Sequence, residues 1–208
     1  MANEIPLRAR TLDNFKSKLT GGGTRANLFE CAIPFPSWAQ PDGVPDLKEK
    51  LSMLVKTAAL PGSTVSAIPI PFRGRVLNVA GDRTFESWTV TVINDTDFAI
   101  RRMFEKWMNG INKHSDTSGY TNPNSYQQNI DVYQLGRAPY SGNNSSTNLP
   151  ILRTYKMYGA FPTSVGSIPL SYDSTDTIEQ YDVTFEIQWW EAFKAGASGG
   201  SDLNWQPK

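Results

Sequence analysis

The amino-acid sequence predicts a mainly β fold, an antiparallel β-sandwich or partly open β-barrel with one flanking α-helix at about residues 95–112. Three observations support this fold class. Residues 86–93 and 178–190 alternate apolar and polar side chains, as strands with one buried face do. Stretches rich in Pro, Gly, Asn and Ser separate the extended segments, which is typical of an all-β domain. A long helical repeat occurs in one segment, 95–112.

Length and composition indicate one domain over residues 1–208. With 39% hydrophobic residues, a chain of 208 residues buries a proper core, and two full domains are not expected. We expect an N-terminal arm at 1–22, a loop insertion at 34–50 and a flexible C-terminal tail at 194–208. The start of the chain lacks a signal-peptide pattern, and no apolar run approaches the ~20 residues of a membrane span. The expected product is soluble, made in the cytoplasm and without membrane insertion.

The first third of the chain predicts a short helix, a strand and an irregular loop. Residues 11–19 suit a helix with Thr11 as the N-cap, followed by a strand at about 27–33. Four prolines between 34 and 45 indicate an irregular loop. Residues 46–60 begin as a helical turn and continue as a strand, and we place the switch near Leu51.

Residues 73–98 predict a hairpin. Strands are expected at 64–68 and 72–78, followed by a turn at Gly81-Asp82-Arg83 and a strand at 86–93. In that last strand one face is apolar and the other carries Ser and Thr. The core candidates on its apolar face are Trp88, Val90 and Val92.

Residues 95–112 predict the main helix. Apolar side chains recur there every three or four positions, and the opposite side is charged or polar. Asp95, Thr96 and Asp97 suit the helix N-terminus, because their side chains accept from its free N–H groups and carboxylates favour the positive end of the helix dipole. The core candidates on the apolar stripe are Phe104, Trp107 and Ile111.

The second half predicts strands at 127–135, 151–161, 168–172 and 178–190, with exposed loops at 113–125 and 138–147. The last strand, about 13 residues at ~3.3 Å each, would reach roughly 40 Å, which suits a large curved sheet. Its core candidates are Val183, Phe185, Ile187 and Trp189. Its polar face comprises Asp182, Thr184, Glu186 and Gln188.

No catalytic, cofactor-binding or metal site is predicted, and we do not expect an enzyme. His114 is the single histidine, Cys31 is the single cysteine, and the acids of 173–186 follow the polar face of a strand. Lys plus Arg and Asp plus Glu both total 20, without a basic cluster. This balance disfavours specific nucleic-acid binding and favours association with other copies.

The six tryptophans leave a monomeric carbohydrate-binding β-sandwich open as an alternative. Exposed aromatic rings could stack on sugars, although Trp88, Trp107 and Trp189 fall on apolar faces. Trp38, in a loop, and Trp205, in the tail, are interpreted as contact residues.

Several segments, in order, resemble the tail tube proteins of contractile-tailed bacteriophages, and together they cover about residues 20–192. In addition to RGRVLNVAGDRTFESWTVTVINDTDF at 73–98, they are GGGTRANLFE at 21–30, AALPG at 58–62, GAFPTSVG at 159–166 and IEQYDVTFEIQWWE at 178–191.

The resemblance implies a subunit of stacked hexameric rings, whose inner strands join one ring-wide β-barrel around the conduit for DNA ejection. It also implies a place in the virion tail after assembly in the host cytoplasm. The implied partners are further copies, the tail sheath, the baseplate and tail-terminator proteins, and the tape-measure protein and DNA in the lumen. A tube subunit of a bacterial contractile injection or type VI secretion system is the alternative of the same kind.

A conduit should hold the DNA polyanion weakly, so we expect its lumen face to consist of hydroxyls, amides and acids. The lumen-face candidates are Asp182, Thr184, Glu186 and Gln188. The subunit-contact candidates are Trp38, Arg73, Arg75, Asp82 and Arg83.

Overall fold

The computed structural model describes residues 11–19, 22–40, 47–137 and 149–194. Most of the predicted arm, part of the 34–50 insertion, the loop predicted at 138–147 and most of the predicted tail, with Trp205, lie outside the described residues. The helices are α1 (Leu12–Lys18), α2 (Leu47–Leu54), α3 (Ala99–Ile111) and α4 (Pro123–Tyr126), with a 3-10 turn at Ser37–Ala39. The strands are β1 (Phe29–Ala32), β2 (Val55–Ala58), β3 (Ser63–Phe72), β4 (Arg75–Phe85), β5 (Trp88–Ile93), β6 (Gln128–Leu135), β7 (Ile151–Val165), β8 (Gln180–Glu186) and β9 (Trp189–Lys194).

The strands form two antiparallel layers and a separate hairpin, which confirms the predicted fold class. We call one layer the threonine sheet; it is β2, β5, β8 and residues 161–165 of β7, paired in that order. We call the other the aromatic sheet; it is β1, β6, residues 151–158 of β7, and β9. β3 and β4 pair with each other. Because β7 belongs to both layers, a path of paired strands runs from β1 to β2 without closing into a barrel.

The chain bends where β7 passes from one layer to the other. Gly159 lies at this bend with φ +62°, and a Cβ added there would come within 2.7 Å of Cγ of Gln188. The neighbouring chain breaks at the same level, since the Gln188 N–H donates to the Tyr158 carbonyl at 3.0 Å and separates β8 from β9. The prediction of one strand over 178–190 is therefore wrong.

The core lies between the two sheets and α3. The Phe185 ring lies 5.9 Å from the Phe104 ring and 6.1 Å from the Trp107 ring, and the Trp107 indole N–H donates to the Tyr126 carbonyl at 2.8 Å. Buried residues at the predicted packing positions are Trp88, Val90, Val92, Phe104, Trp107, Val183, Phe185 and Ile187.

Two predicted packing positions differ from these. Ile111, in the last turn of α3, is half-buried and packs against the core. Trp189 is 42% exposed, so its prediction as a core residue is wrong. The odd-numbered residues from Tyr181 to Ile187 are buried, but the break at Gln188 places Trp189 on the outward side of β9.

Local signals define the helices in part. The predicted first helix is confirmed, with the Asn14 N–H donating to the Thr11 hydroxyl at 3.3 Å. The switch expected near Leu51 comes later, since α2 continues to Leu54. The predicted acidic cap of the main helix is wrong: α3 begins at Ala99, after Phe98 in a left-handed conformation with no side-chain cap.

Asp95 and Asp97 instead tie α2 to the segment before α3. The Lys50 ammonium lies 2.5 Å from the Asp95 carboxylate and 3.5 Å from that of Asp97. The hydrogen bond with Asp95 is the main cause that raises the pKa of Lys50. These acids therefore join two elements.

The turn predicted at Gly81-Asp82-Arg83 is wrong. Those residues lie inside β4, beside a register irregularity opposite Ser66. The chain turns at Arg73 and Gly74, whose φ values of 45° and 81° give the two left-handed positions that a tight two-residue hairpin turn needs. β5 then pairs with β2 and β8.

Candidate assembly surfaces

The outward face of the threonine sheet carries a network of hydroxyl groups across four strands. The Thr57 hydroxyl donates to Thr91 Oγ1 at 2.7 Å, and the Thr91 hydroxyl donates to Asp182 Oδ1 at 2.7 Å. Thr89 and Thr184 share a hydrogen bond at 3.1 Å. The Thr163 hydroxyl donates to the Thr184 carbonyl at 3.2 Å, which extends the network to β7. Many polar atoms of this face are therefore paired within the sheet.

Charges on this face are few. Asp182 and Glu186 are exposed at alternate positions of β8, and Thr184 between them is half-buried. Lys56 donates to the Gln180 side chain at 2.6 Å. Three of the four lumen-face candidates thus share one surface, whereas Gln188 lies at the bend after β8.

The threonine sheet has a free edge on each side in the described part of the chain. There β2 pairs with β5 alone, and residues 161–165 of β7 pair with β8 alone. The four strands alternate in direction, so the two edge strands run opposite ways. The β2 edge of one copy can consequently meet the β7 edge of another as an antiparallel pair.

The outward face of the aromatic sheet is different. Trp189 and Tyr158 stack with ring centroids 3.9 Å apart, and the Lys156 ammonium lies 5.6 Å from the Tyr158 ring centroid. The Tyr158 hydroxyl donates to Glu191 at 3.1 Å. Burial raises the pKa of Asp131, which is opposite Lys156 in the register. Aromatic rings and paired charges thus make up this face.

The β3–β4 hairpin exposes apolar side chains on both faces. Along both strands the residues are exposed except Ser63, Gly81 and Phe85, which are half-buried. Cross-strand pairing places large aliphatic pairs on one face, Ile68 with Val79 and Ile70 with Leu77. Contiguous exposed apolar surface of this kind marks an interaction site.

The contact candidates fall in two places. Trp38 already has partners within the chain: its indole N–H donates to the Ser125 carbonyl at 2.9 Å, and its ring lies 4.7 Å from that of Tyr120. The others are on the hairpin. Arg73 and Arg75 are exposed at its tip, with the Arg73 guanidinium 5.3 Å from the Phe72 ring, and Asp82 and Arg83 are exposed along β4.

The predicted strand at 168–172 does not form. Residues 167–179 make a loop between β7 and β8, where Pro169 lacks the N–H that a ladder requires. Its ends are fixed: Arg101 donates to the Gly166 carbonyl at 3.1 Å, and the Asn94 side chain donates to Glu179 at 2.7 Å. Leu170 is 80% exposed and Ile178 is 71% exposed.

Cys31 and His114 lie far apart in the sequence and in different surroundings. Burial raises the pKa of the Cys31 thiol to about 12. His114 lies in an exposed loop, where its backbone N–H donates to Asn109 at 3.2 Å. The part of the chain that the structure describes holds no group of three or more His, Cys, Asp or Glu residues that suits a metal ion. No helix there combines the length and apolar character needed to cross a bilayer.

Two features were missed at the sequence level, the hydroxyl network and the exposed hairpin. The alternating Thr89 and Thr91 of β5, together with Thr184 of β8, were a signal for the first. The exposed hairpin had a weaker signal. The residues that alternate with Ile68, Ile70, Leu77 and Val79 are Ala, Pro, Val and Asn, and not the charged residues usual on a solvent-facing side of a strand.

Open sheet edges, paired polar groups and large exposed apolar surfaces are features of a structural subunit that assembles. The family described as phage tail tube protein matches residues 24–192, and the chain belongs to this family. The chain is 31% identical over 172 residues to the tail tube protein gp19 of Enterobacteria phage T4, a match that covers 83% of this chain and 93% of gp19. It is accordingly a structural protein of the phage tail.

Solved structures share the fold at low sequence identity. A chain of the 6-fold symmetrised baseplate of the anti-feeding prophage superposes with a TM-score of 0.56 at 10% identity, covering 83% of this chain and 96% of that one. A chain of the sheath–tube complex of the PVC extracellular contractile injection system, in its extended state, gives 0.50 at 14% identity, covering 86% and 97%. The fold is therefore common to phage tails and injection systems.

Proposed function

We propose that six copies of this chain join through the edges of their threonine sheets into a ring, and that stacked rings form the conduit for DNA ejection. The function is mechanical rather than enzymatic. The observation that carries the proposal is the threonine sheet itself, with four strands of alternating direction and, among the described residues, a free edge on each side. Such a sheet repeats around a ring with every contact antiparallel, and ring closure removes the exposed edges.

The outward face of the threonine sheet lines the lumen in this arrangement. Its hydroxyls are largely engaged with one another, and its charges are Lys56, Asp182 and Glu186. Because phosphate contacts with Lys and Arg supply most non-specific DNA affinity, this face would bind passing DNA weakly. Asp182, Thr184 and Glu186 are the proposed lumen residues, and Gln188 belongs to the bend beside them. The tape-measure protein would occupy the same lumen before DNA.

The outward face of the aromatic sheet is turned away from the lumen and would contact the sheath. Its stacked Trp189 and Tyr158 and its charges at Lys156 and Glu191 offer both apolar and ionic contacts. The ends of the stacked tube would meet the baseplate and the tail terminator. Sheath–tube and baseplate assemblies among the structures with this fold support these partners.

Ring formation is tested by a proline in the β2 edge. Lys56 has no opposite residue on β5, because the register shifts between Val55 and Thr57. Lys56→Pro removes a backbone N–H from the edge strand, whereas the matched control Lys56→Ala removes the side chain alone. Electron microscopy should show rings or tubes for the wild type and Lys56→Ala, and dispersed folded monomers for Lys56→Pro. Equal ring formation by Lys56→Pro would contradict edge pairing.

The lumen assignment is tested by gold labelling. Asp182→Cys, on the threonine sheet, and Glu191→Cys, on the aromatic sheet, are each labelled with a maleimide-linked gold cluster after tubes have formed. Micrographs should show gold on the tube axis for the first variant and along the outside for the second. The reverse distribution would show that the sheets are turned the other way.

A further inference from the structure

We infer that the loop at residues 167–179 is the receiving surface for the β3–β4 hairpin of a second copy in the next ring. This inference rests on the proposed ring assembly and names the surfaces that join successive rings. Three observations support it: where the two surfaces lie, what side chains they expose and which charges they carry.

The two surfaces lie at opposite ends of the threonine sheet. β5 runs from Trp88, opposite Phe185, to Ile93, opposite Gln180. The hairpin ends at Phe85, three residues before Trp88, and the loop ends at the start of β8, beside Ile93. A strand of six residues separates these ends by roughly 17 Å. A contact between hairpin and loop therefore joins copies head to tail, and such a heterologous contact continues into a stack.

Both surfaces expose large apolar side chains. Phe72, at the hairpin tip, is 66% exposed, and Ile70 and Leu77 form a cross-strand pair beside it. On the loop, Leu170 and Ile178 are exposed, and Tyr172 is fully exposed. Each surface alone leaves apolar area in water, and contact between them would remove area from both.

Their charges are opposite. Arg73 lies in the hairpin turn and Arg75 is the first residue after it, and both are exposed. The loop carries Asp173 and Asp176, which are also exposed. Strands of about ten residues at ~3.3 Å each give the hairpin a length of about 30 Å, enough to carry the arginines well away from its base. The arginines would pair with the aspartates while the apolar groups meet, which fixes the direction of stacking.

Charge reversal tests this pairing. Arg73→Glu/Arg75→Glu and Asp173→Arg/Asp176→Arg each place like charges across the contact, so each variant should form single rings with at least a tenfold loss of tubes. Combining all four substitutions in one chain restores opposite charges and should restore tubes. A mixture of the two double variants should also stack, because rings can then alternate. Electron microscopy and sedimentation velocity count rings and tubes.

Lys16→Glu/Lys18→Glu on α1 is the matched control, since it changes the net charge by the same amount as Arg73→Glu/Arg75→Glu on a helix that belongs to neither surface, and it should leave stacking unchanged. If this control also loses tubes, net charge explains the effect and the inference is overturned. Tubes from Arg73→Glu/Arg75→Glu, or a fourfold variant that fails to stack, would overturn it as well. A wild type that forms neither rings nor tubes would instead refute the proposed function.

Cross-linking supplies a measurement that is independent of tube counting. Phe72→Cys chains and tagged Leu170→Cys chains are mixed, assembled and oxidised. Disulfide-linked dimers containing both variants are expected, since the native Cys31 is buried. The pair Phe72→Cys with Glu191→Cys, on the aromatic sheet, should give at least tenfold fewer dimers. Equal yields for the two pairs would overturn the assignment of the loop.

Discussion

β8 and β4 are both extended strands rich in apolar residues, yet one is half core and the other is almost entirely exposed. In β8, Tyr181, Val183 and Phe185 are buried in one core with side chains of β5, α3 and the aromatic sheet. In β4, Val76, Leu77 and Val79 face solvent, because β3 is its single paired strand among the described residues. The comparison shows that residue types determine whether a segment is extended. The number of elements packed against a strand determines whether its side chains contribute to the core. An isolated two-stranded ribbon is marginally stable in water, so the hairpin requires a partner.

Thiol reactivity should give the largest contrast between the two regions. Burial raises the pKa of Cys31 from 9.0 to about 12, so its thiolate fraction at pH 8 is on the order of 1000-fold below that of an unperturbed thiol. In a Leu77→Cys variant, the hairpin thiol should react with Ellman's reagent at an ordinary rate and Cys31 more slowly by a factor on the order of 1000. Unfolding in urea should make the two rates similar. Fast reaction of Cys31 in the folded protein would contradict the described core.

Truncation of the core should come next. Phe185→Ala leaves a cavity between Phe104, Trp107 and Trp88, and removal of a buried Phe typically costs about 3–5 kcal/mol. The free energy of unfolding, measured on the dispersed protein in urea, should fall by that amount. Phe72→Ala, at the exposed hairpin tip, is the control and should change it by less than about 0.5 kcal/mol. Similar losses for both would erase the distinction between core and hairpin.

The bend in β7 should be intermediate. Gly159→Ala imposes a left-handed conformation on a residue with a side chain, and its Cβ would press on Gln188. We expect a loss of about 1–3 kcal/mol in the same urea measurement. Gly74→Ala, at the hairpin turn, has a similar φ but open space around its Cβ, so it should cost about 1 kcal/mol. An effect of Gly159→Ala below that of Gly74→Ala would show that the bend tolerates crowding.

The aliphatic face of the hairpin should give the smallest effect on the dispersed protein. Ile70→Ser/Leu77→Ser exchanges two exposed side chains, and the free energy of unfolding should change by at most about 0.5 kcal/mol per site. Tube formation, counted by electron microscopy, should nevertheless be lost, because the same residues are proposed to contact the next ring. Val90→Ser, on the buried face of β5, should instead lower the free energy of unfolding of the dispersed protein. Tubes of normal length from the double variant would contradict the role of this face.

The sequence predicted the fold class, the apolar stripe of α3 and most of the core, because these follow from periodicity within one segment. Partners between segments were harder to predict. Alternation in β5 was correct, but its pairing with β2 and β8 rather than β4 depends on contacts far along the chain. The turn was misplaced because Gly81-Asp82-Arg83 has turn chemistry, while the actual turn places Arg73 in a conformation that side chains seldom adopt.

The polar face predicted for residues 182–188 is correct up to Glu186, where β8 ends. Asp182, Thr184 and Glu186 share a face, but the alternation continues through Ile187 and Gln188 without a sign that the chain leaves the layer there. A period-two pattern shows which side of a strand is apolar. It does not show to which sheet the strand belongs or whether anything covers its apolar side. Trp189 illustrates this limit, since its apolar side chain stacks on Tyr158 at the surface.

The sharing of β7 between both layers has a mechanical consequence. A force that drags the aromatic sheet along the strand direction relative to the threonine sheet is transmitted through β7, whose two halves are hydrogen-bonded to β6, β8 and β9. Those bonds run across the strand, so such a force loads many of them together in shear instead of opening them one after another. In the proposed tube, the two sheets of each subunit would thus resist an axial force together as one mechanical unit, with the bend at Gly159 as the covalent connection between them.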